Sequence, residues 1–215
     1  MSDDSRSAFD AIHHCTAGDL CPNLLELRRL REELGELSAL VRTDELTGLF
    51  NYRYFNQALE LEMERTRRSG QATVLIMIDL DHFKEINDAY GHEFGNRTLN
   101  HIAAIIRRTT RKLDIACRYG GEEFTVILPD TRLPEGTLFA NRIRRLVRSV
   151  GVRHGKGSVK LTASFGVDVY SYSDTRSVEE FVKDVDRLLY LAKDRGRDRV
   201  CAPNSLDSAE SHPAG

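Results

Sequence analysis

The sequence predicts an α+β domain with a ferredoxin-like βαββαβ core, in which helices cover one face of the sheet, preceded by a heptad-patterned helix. Three observations lead to this prediction. Apolar residues change repeatedly between the two-residue period of strands and the 3.6-residue period of helices. A Gly120-Gly121 pair separates two strand-like segments near the middle of the chain. Leucines at alternating spacings of three and four residues precede the first of these segments.

The predicted elements follow one another without an interdomain linker. The apolar run 72–78 (ATVLIMI) is typical of a buried strand, and the glycine pair predicts a tight hairpin between strands 115–119 and 123–128. A strand is also predicted over 159–170, and a short edge strand over 199–201. Helical periodicity covers residues 51–68, 96–112, 133–149 and 177–194.

A heptad seam precedes this core. Its apolar positions are Leu27, Leu30, Leu34, Leu37 and Val41. The stripe is narrow, which favours a self-associating coiled-coil helix over 21–43; the alternative is an amphipathic helix packed on its own domain. The predicted division of the chain is a flexible leader (1–20), this helix, a core domain (44–201) and a disordered tail (202–215).

Composition restricts the function classes. The 215 residues include 31 Lys plus Arg and 33 Asp plus Glu, a net charge of −2 that argues against nucleic-acid binding through phosphates. No apolar run approaches the roughly 20 residues needed to span a bilayer. The acidic start MSDDSRS does not resemble a secretory signal. We therefore expect a cytoplasmic protein with neither a nucleic-acid nor a membrane partner.

Carboxylates follow two strands that should be neighbours in the sheet. Asp79-Leu80-Asp81 ends the first strand, and Glu122-Glu123 follows the glycine pair. Converging carboxylates repel one another unless a cation neutralises them, and hard oxygen ligands suit Mg²⁺ or Mn²⁺. Such ions neutralise phosphate oxygens during phosphoryl or nucleotidyl transfer. The alternative is an ordinary hairpin with two solvated glutamates.

Four segments together resemble the GGDEF family of diguanylate cyclases, which condense two GTP into cyclic di-GMP. They are 44–51 (DELTGLFN), 79–92 (DLDHFKEINDAYGH), 118–124 (RYGGEEF) and 189–197 (LYLAKDRGR). The resemblance spans about Asp44 to Cys201 in the correct order. It implies the palm-type fold of nucleotidyl cyclases, one GTP per domain and therefore a homodimer, with the heptad helix raising the local concentration of the partner domain.

The resemblance also implies residue roles. Asp79 and Glu122 would bind the metal with the carbonyl of Leu80, and Glu123 would be a second metal contact or an orienting group. Triphosphate binding would fall to the amides of His82 and Phe83 together with Lys84, Lys193 and Arg197. Asn87 would bind the guanine edge. For Lys193 and Arg197 the alternative is a solvated helix face.

A product-inhibition site is implied at Arg111-x-x-Asp114, with Arg142 and Arg65 completing it. Arginine forks grip phosphates and guanine edges bidentately. The alternative is a surface salt bridge between Arg111 and Asp114.

Asn96 departs from the family, which usually has Asp there to accept from the guanine edge. A neutral amide should weaken guanine binding and tolerate adenine better, which raises the alternative of a mixed cyclic GMP-AMP product. A second alternative is a catalytically weak module that acts as a cyclic di-GMP receptor. A regulatory protein docked on the N-terminal helix is a further possible partner.

Overall fold

A computed structural model describes residues 25–30, 42–155 and 157–203. It divides into two units, residues 1–42 and 43–215. Residues 25–30 of the first unit are helical, and Leu27 and Leu30 are exposed. The predicted leader, the tail from residue 204, and the heptad positions Leu34, Leu37 and Val41 lie outside the described residues.

The second unit alternates helices and strands. Its helices are α1 (Tyr52–Ser69), α2 (Phe83–Tyr90), α3 (His92–Thr109), α4 (Leu133–Ser149) and α5 (Val178–Asp194). Its strands are β1 (Thr73–Leu80), β2 (Ile115–Arg118), β3 (Glu123–Leu128), β4 (Val152–His154), β5 (Gly157–Val159), β6 (Ala163–Tyr170) and β7 (Val200–Cys201).

The main sheet has the order β2-β3-β1-β6-β7. Both β3 and β6 pair antiparallel with the central β1, β2 pairs antiparallel with β3, and β7 pairs parallel with β6 at the edge. The four long strands therefore have the ferredoxin-like arrangement, and the predicted βαββαβ core is confirmed.

Helices cover both faces of this sheet, so the expectation of one covered face was wrong. On one face, α2, α3 and α4 pack against Val74, Ile76 and Ile78 of β1. On the other, α1 and α5 pack against Leu75 and Met77. The physical reason is that every residue of β1 is buried, and a strand that is apolar on both sides must be covered on both sides.

Two element boundaries differ from the prediction. Residues 83–90 form α2, a helix that the periodicity did not indicate, and α3 begins at His92 directly after Gly91, whose φ is 82°. The predicted strand 159–170 is divided, because Val159 ends a separate hairpin of β4 and β5 while β6 begins at Ala163. Short helices and broken strands carry too few turns or alternations for a periodic signal.

The packing of α5 on the sheet is unusually close at Gly166 of β6. A Cβ there would overlap the carbonyl oxygen of Val185 and lie 2.5 Å from the backbone nitrogen of Leu189. Only glycine allows this approach. The position of the α5 backbone at Val185 and Leu189, one turn before Lys193, is therefore set directly by the sheet.

Arg176 attaches the start of α5 to the same strand. Its guanidinium lies 2.7 Å from Asp168 of β6, 2.6 Å from Asp174 and 2.8 Å from Asp184 of α5, and it stacks on the ring of Phe181. These partners raise the pKa of Arg176 despite its burial. A partly buried cation held by three carboxylates fixes the loop before α5.

Candidate functional site

The two predicted carboxylate segments meet at one edge of the sheet. In the strand register, Asp79 of β1 lies between Glu123 of β3 and Ser164 of β6. Asp79 has the same parity as Leu75 and Met77, so its side chain faces α1 and α5. The structure thus brings Asp79 and Glu123 together as cross-strand neighbours.

Lys193, on the last turn of α5, lies against this pair. Its Nζ is 2.8 Å from Oδ2 of Asp79. Burial nevertheless raises the pKa of Asp79, Lys193 opposes that rise, and the charges of Glu122 and Asp81 add to it. One ammonium group therefore compensates only part of the negative charge that this edge of the sheet collects.

Backbone hydrogen bonds hold the turn that carries Glu122. The N–H of Leu80 donates to the carbonyl of Glu122 over 3.4 Å, and the N–H of Tyr119 donates to the carbonyl of Glu123 over 2.8 Å. Glu122 and Glu123 are both half-buried. Burial raises the pKa of Glu123, and the neighbouring Asp79 raises it further.

Arg118 ties this turn to the start of the domain, a role that the sequence reasoning did not assign. Its guanidinium donates to the carbonyl of Gly121 over 2.8 Å and lies 3.1 Å from Oδ2 of Asp44. Asp44 in turn accepts hydrogen bonds from the N–H and hydroxyl of Thr47. The segment 44–47 and the carboxylate turn are therefore linked through one side chain.

Asp81, which the sequence analysis counts among the converging carboxylates, has a structural role. It is buried, with Oδ1 accepting from the hydroxyl of Ser164 over 2.7 Å and Oδ2 accepting from the N–H of Asp198 over 3.1 Å. Both oxygens are thus engaged by neutral donors, and the carboxylate fixes the end of β1 to β6 and to the turn after α5.

The candidate triphosphate residues surround the junction of β1 and α2. His82 has φ 59° and is the residue before α2, so its amide and that of Phe83 lie at a helix N-terminus, where amides favour anions. Lys84 and Arg197 are exposed and Lys193 is half-buried. The first three groups stand at the start of α2 and the other two at the end of α5, and the Lys193–Asp79 ion pair and the Asp198–Asp81 hydrogen bond bring these two segments together.

The candidate base-binding residues lie where α2 passes α3. A Cβ at Gly95 would overlap Oδ1 of Asn87, so only glycine lets Asn87 occupy its position. Asn96 is exposed one residue later, and Asn87 is half-buried. The two amides therefore lie on adjacent helices with no side chain at Gly95 between them.

A separate cavity of about 440 Å³ contains most of the predicted inhibitory residues. Arg65, Arg111 and Asp114 line it. The carboxylate of Asp114 accepts the backbone N–H of Arg111 over 2.6 Å. Arg142 is not in its lining and donates instead to the carbonyl of Thr109 over 2.7 Å.

Comparison with known proteins agrees with this geometry. The family described as "Diguanylate cyclase, GGDEF domain" matches residues 41–199. The chain belongs to the GGDEF family. The predicted family resemblance is thereby confirmed.

Three GGDEF proteins illustrate the likeness. The chain is 40% identical over 179 residues to diguanylate cyclase VdcA of Vibrio cholerae, covering 82% of this chain and 51% of the relative. A crystal structure of the coiled coil and GGDEF domain of DgcB from Caulobacter crescentus, in complex with c-di-GMP, matches with a TM-score of 0.72 and 29% identity, covering 86% of this chain and 98% of that one.

Diguanylate cyclase SiaD of Pseudomonas aeruginosa, in complex with its activator SiaC, matches with a TM-score of 0.71 and 34% identity, covering 93% of this chain and 77% of that chain. The chain spans about half or less of the length of the curated relatives it matches first. In the described part of the chain, no helix is both long and apolar enough to span a membrane.

The donors at the site of this GGDEF domain fit a divalent metal ion. Asp79 and Glu122 offer carboxylate oxygens and Leu80 offers a carbonyl, and the ammonium group of Lys193 already occupies a cation position beside Asp79. Within the described residues, no group of three or more His, Cys, Asp or Glu side chains is arranged so that it could hold a metal ion by itself. Mg²⁺ usually takes one or two carboxylates and completes its shell with substrate phosphates and water, so two carboxylates suffice.

The raised pKa of Glu123 predicts a pH-dependent stability effect. Between its ordinary value of 4.5 and its raised value, the folded protein binds more protons than the unfolded chain, so ionisation of Glu123 destabilises the fold as pH rises. We expect Glu123→Gln to raise the melting temperature at pH 7.5 in EDTA, with a gain that disappears below pH 4.5. Differential scanning fluorimetry across this range measures it.

Glu135→Gln is the control of opposite sign. Arg132 lowers the pKa of the exposed Glu135 to about 2, so its ionised form stabilises the fold and this substitution should not raise the melting temperature at pH 7.5. A Glu123→Gln protein that melts lower than the unsubstituted chain at pH 7.5, or whose gain is independent of pH, would contradict the assignment.

Proposed function

We propose that the chain is a diguanylate cyclase, a nucleotidyltransferase that condenses two GTP into cyclic di-GMP and two pyrophosphates with the help of Mg²⁺ or Mn²⁺. The observation that carries this proposal is the meeting of Asp79, the Glu122-Glu123 turn and Lys193 at one sheet edge. A site that pairs buried carboxylates with flanking cations suits a metal–triphosphate substrate, whose own charges are of both signs.

Different residues of the chain would have different roles in the reaction. The ribose 3′-oxygen of one GTP forms a bond to the α-phosphorus of the other, and the bond from that phosphorus to pyrophosphate breaks. Lys84, Lys193 and Arg197 would neutralise the charge that builds on the departing pyrophosphate. The hydroxyl proton passes to a carboxylate, for which Glu122 is the candidate, or to water. The metal, held by Asp79, Glu122 and the Leu80 carbonyl, would supply Lewis-acid activation of the hydroxyl and the phosphate.

Lys193 would serve two partners in turn. In the structure it neutralises Asp79, and in the substrate complex it would bind phosphate oxygens, which would leave Asp79 free to hold a metal ion. The carboxylate of Asp79 would then have a cation beside it both before and after GTP binds, since a buried charge without a partner is costly.

A homodimer belongs to the same proposal. One domain offers one set of triphosphate and base residues, so two domains must face each other to join two nucleotides. The heptad seam that includes Leu27 and Leu30 would hold them together and raise the local concentration of the partner site to the millimolar range. DgcB, a structural relative, was crystallised with its coiled coil.

Regulation through this helix is also proposed. SiaD forms a complex with an activator protein. A protein partner docked on the N-terminal helix of this chain would change the relation between the two domains, in the cytoplasm where GTP is available.

The activity test uses the whole chain with GTP and Mg²⁺, followed by chromatography of the products. We expect cyclic di-GMP from the unsubstituted protein, and at least about a 100-fold loss in Glu122→Gln, because a metal ligand contributes several kcal/mol to the transition state. Glu135→Gln, which changes an exposed glutamate on α4, is the matched control. If the turnover rate per chain does not fall when the protein is diluted, the proposal of a homodimer is contradicted, but the cyclase activity is not. If no product forms from GTP, the proposed cyclase activity itself is contradicted.

The cavity at Arg65, Arg111 and Asp114 supports a second candidate function, that of a cyclic di-GMP receptor without turnover. In the same assay, tight binding of cyclic di-GMP by a chain that forms no product would favour this receptor.

For an active enzyme, the same cavity predicts product inhibition. Arg111→Ala removes one guanidinium from the cavity, so we expect at least about a tenfold higher inhibition constant for cyclic di-GMP, the loss of one charge-assisted contact. Initial rates without added product should stay unchanged. Arg145→Ala, which changes an exposed arginine of α4 outside the cavity lining, is the control for a simple loss of positive charge. Equal inhibition of Arg111→Ala and the unsubstituted protein would exclude this site.

The amide at Asn96 leads us to predict a relaxed specificity for guanine over adenine nucleotides. An amide accepts a neutral hydrogen bond from guanine where a carboxylate would accept a charge-assisted one, a difference of about 1 kcal/mol or more. We expect Asn96→Asp to lower KM for GTP about tenfold and to reduce incorporation of adenine from equimolar GTP and ATP. Asn100→Asp, one turn later on α3, is the control. An unchanged product ratio in Asn96→Asp would show that Asn96 does not read the base.

A further inference from the structure

The turn after α5 adopts a conformation that its residues do not favour. α5 ends in a Schellman motif: the N–H of Gly196 donates to the carbonyl of Lys193, and the N–H of Arg197 donates to that of Ala192. Gly196 has φ 103°, which suits glycine. Arg197 and Asp198 then follow with φ 61° and 42°, a region that non-glycine residues enter only when contacts hold them there.

The contacts that hold this turn come from α4. Oδ1 of Asp198 lies 3.0 Å from a guanidinium nitrogen of Arg144, and Oδ2 lies 3.2 Å from Arg148. The same Arg144 nitrogen also donates to the backbone carbonyl of Asp198 over 2.9 Å. The side chains of Arg144 and Asp198 are each only about one-fifth exposed, so this pair is less screened than an ordinary surface ion pair.

A third attachment comes from the metal-binding end of β1. The backbone N–H of Asp198 donates to the buried carboxylate of Asp81, two residues after Asp79. Asp198 therefore connects α4, the end of β1 and the turn between α5 and β7. On either side of it in the chain stand Arg197 and Arg199, and the carbonyl of Arg199 accepts from Phe165 of β6.

We infer that Asp198 is a positioning residue for GTP binding. Its carboxylate, held by Arg144 and Arg148, and its N–H on Asp81 fix the left-handed turn that places Arg197 beside the end of β1. The inference rests on the proposed function, in which Arg197 binds the triphosphate. Asp198 itself does not touch the nucleotide, because its two carboxylate oxygens are engaged by the arginines of α4.

The test measures the kinetics of the whole 215-residue chain with GTP at saturating Mg²⁺. We expect Asp198→Ala to raise KM for GTP about tenfold, the equivalent of one misplaced charge-assisted contact, and to leave kcat within about twofold. Asp198→Asn tolerates positive φ and retains an oxygen for Arg144, so its KM should rise less than about threefold. Arg144→Gln removes the arginine partner of Asp198, so its KM for GTP should rise about as much as that of Asp198→Ala.

A double-mutant cycle separates positioning from general destabilisation. If Asp198 acts through Arg197, then Asp198→Ala should raise KM by less than about twofold in an Arg197→Ala background. Glu64→Ala is the matched control, since Glu64 is also a carboxylate held by two arginines, Arg67 and Arg68, but lies on α1 away from the residues proposed to bind GTP. Its KM should equal that of the unsubstituted chain.

The outcomes are distinguishable. A KM within twofold of the unsubstituted value in both Asp198→Ala and Arg144→Gln would overturn the inference, as would an undiminished tenfold effect in the Arg197→Ala background. By contrast, no cyclic di-GMP from the unsubstituted chain, or an Arg197→Ala protein with unchanged KM, would overturn the proposed function on which the inference rests.

Discussion

The ion pair between Asp79 and Lys193 joins the last residues of the central strand to the last turn of the final helix, and much of the packing of the domain determines where these two side chains lie. β1 is buried along its whole length, so Asp79 cannot move without disturbing both hydrophobic layers. α5 lies directly on Gly166 and is attached at its start by Arg176, so the backbone that carries Lys193 is also held in place. Rigid elements that meet at one point provide the precision a reacting site needs.

The carboxylates at this edge of the sheet lower the stability of the fold. Asp79 and Glu123 are cross-strand neighbours that would repel each other when both are ionised, and burial raises the pKa of each. An apolar pair would pack at this position without that cost. Residues that a stable fold alone would not select, gathered at a sheet edge with a cation beside them, are the physical signature of a binding or catalytic site.

Sequence patterns could predict the elements whose signal comes from many residues. The long helices, the hairpin at Gly120-Gly121 and the strand order followed from periodicity and turn chemistry. The helices on the second face of the sheet were not predicted. The continuous apolar run of β1 was interpreted only as a buried strand, although a strand that is apolar on both sides needs a layer on each face. The short α2 between Leu80 and His92 was missed for a different reason: eight residues give no clear helical period.

Some features of the candidate site could likewise be predicted from sequence, and others could not. Asp79, Glu122 and Lys193 stand in recognisable motifs, so their proximity could be anticipated. The partners of Asp81, Arg118 and Asp198 could not, since each is set by contacts between residues 50 to 117 positions apart in sequence or by backbone angles that only coordinates reveal. Arg142, which the resemblance assigns to the product site, does not line the cavity of Arg65, Arg111 and Asp114 and donates instead to the carbonyl of Thr109.

Arg118 has a mechanical consequence for the domain. One of its nitrogens is bonded to Asp44, near the first residues of the domain, and another to the carbonyl of Gly121, next to Glu122. A pull or twist applied to the polypeptide at Thr43 would therefore reach the carboxylate turn by two short routes, the Arg118 guanidinium and the bridges that pair Thr43 with Phe50 and Phe50 with Cys117 of β2. The point where the chain joins the domain and the point where a metal would be held are, in terms of force transmission, adjacent.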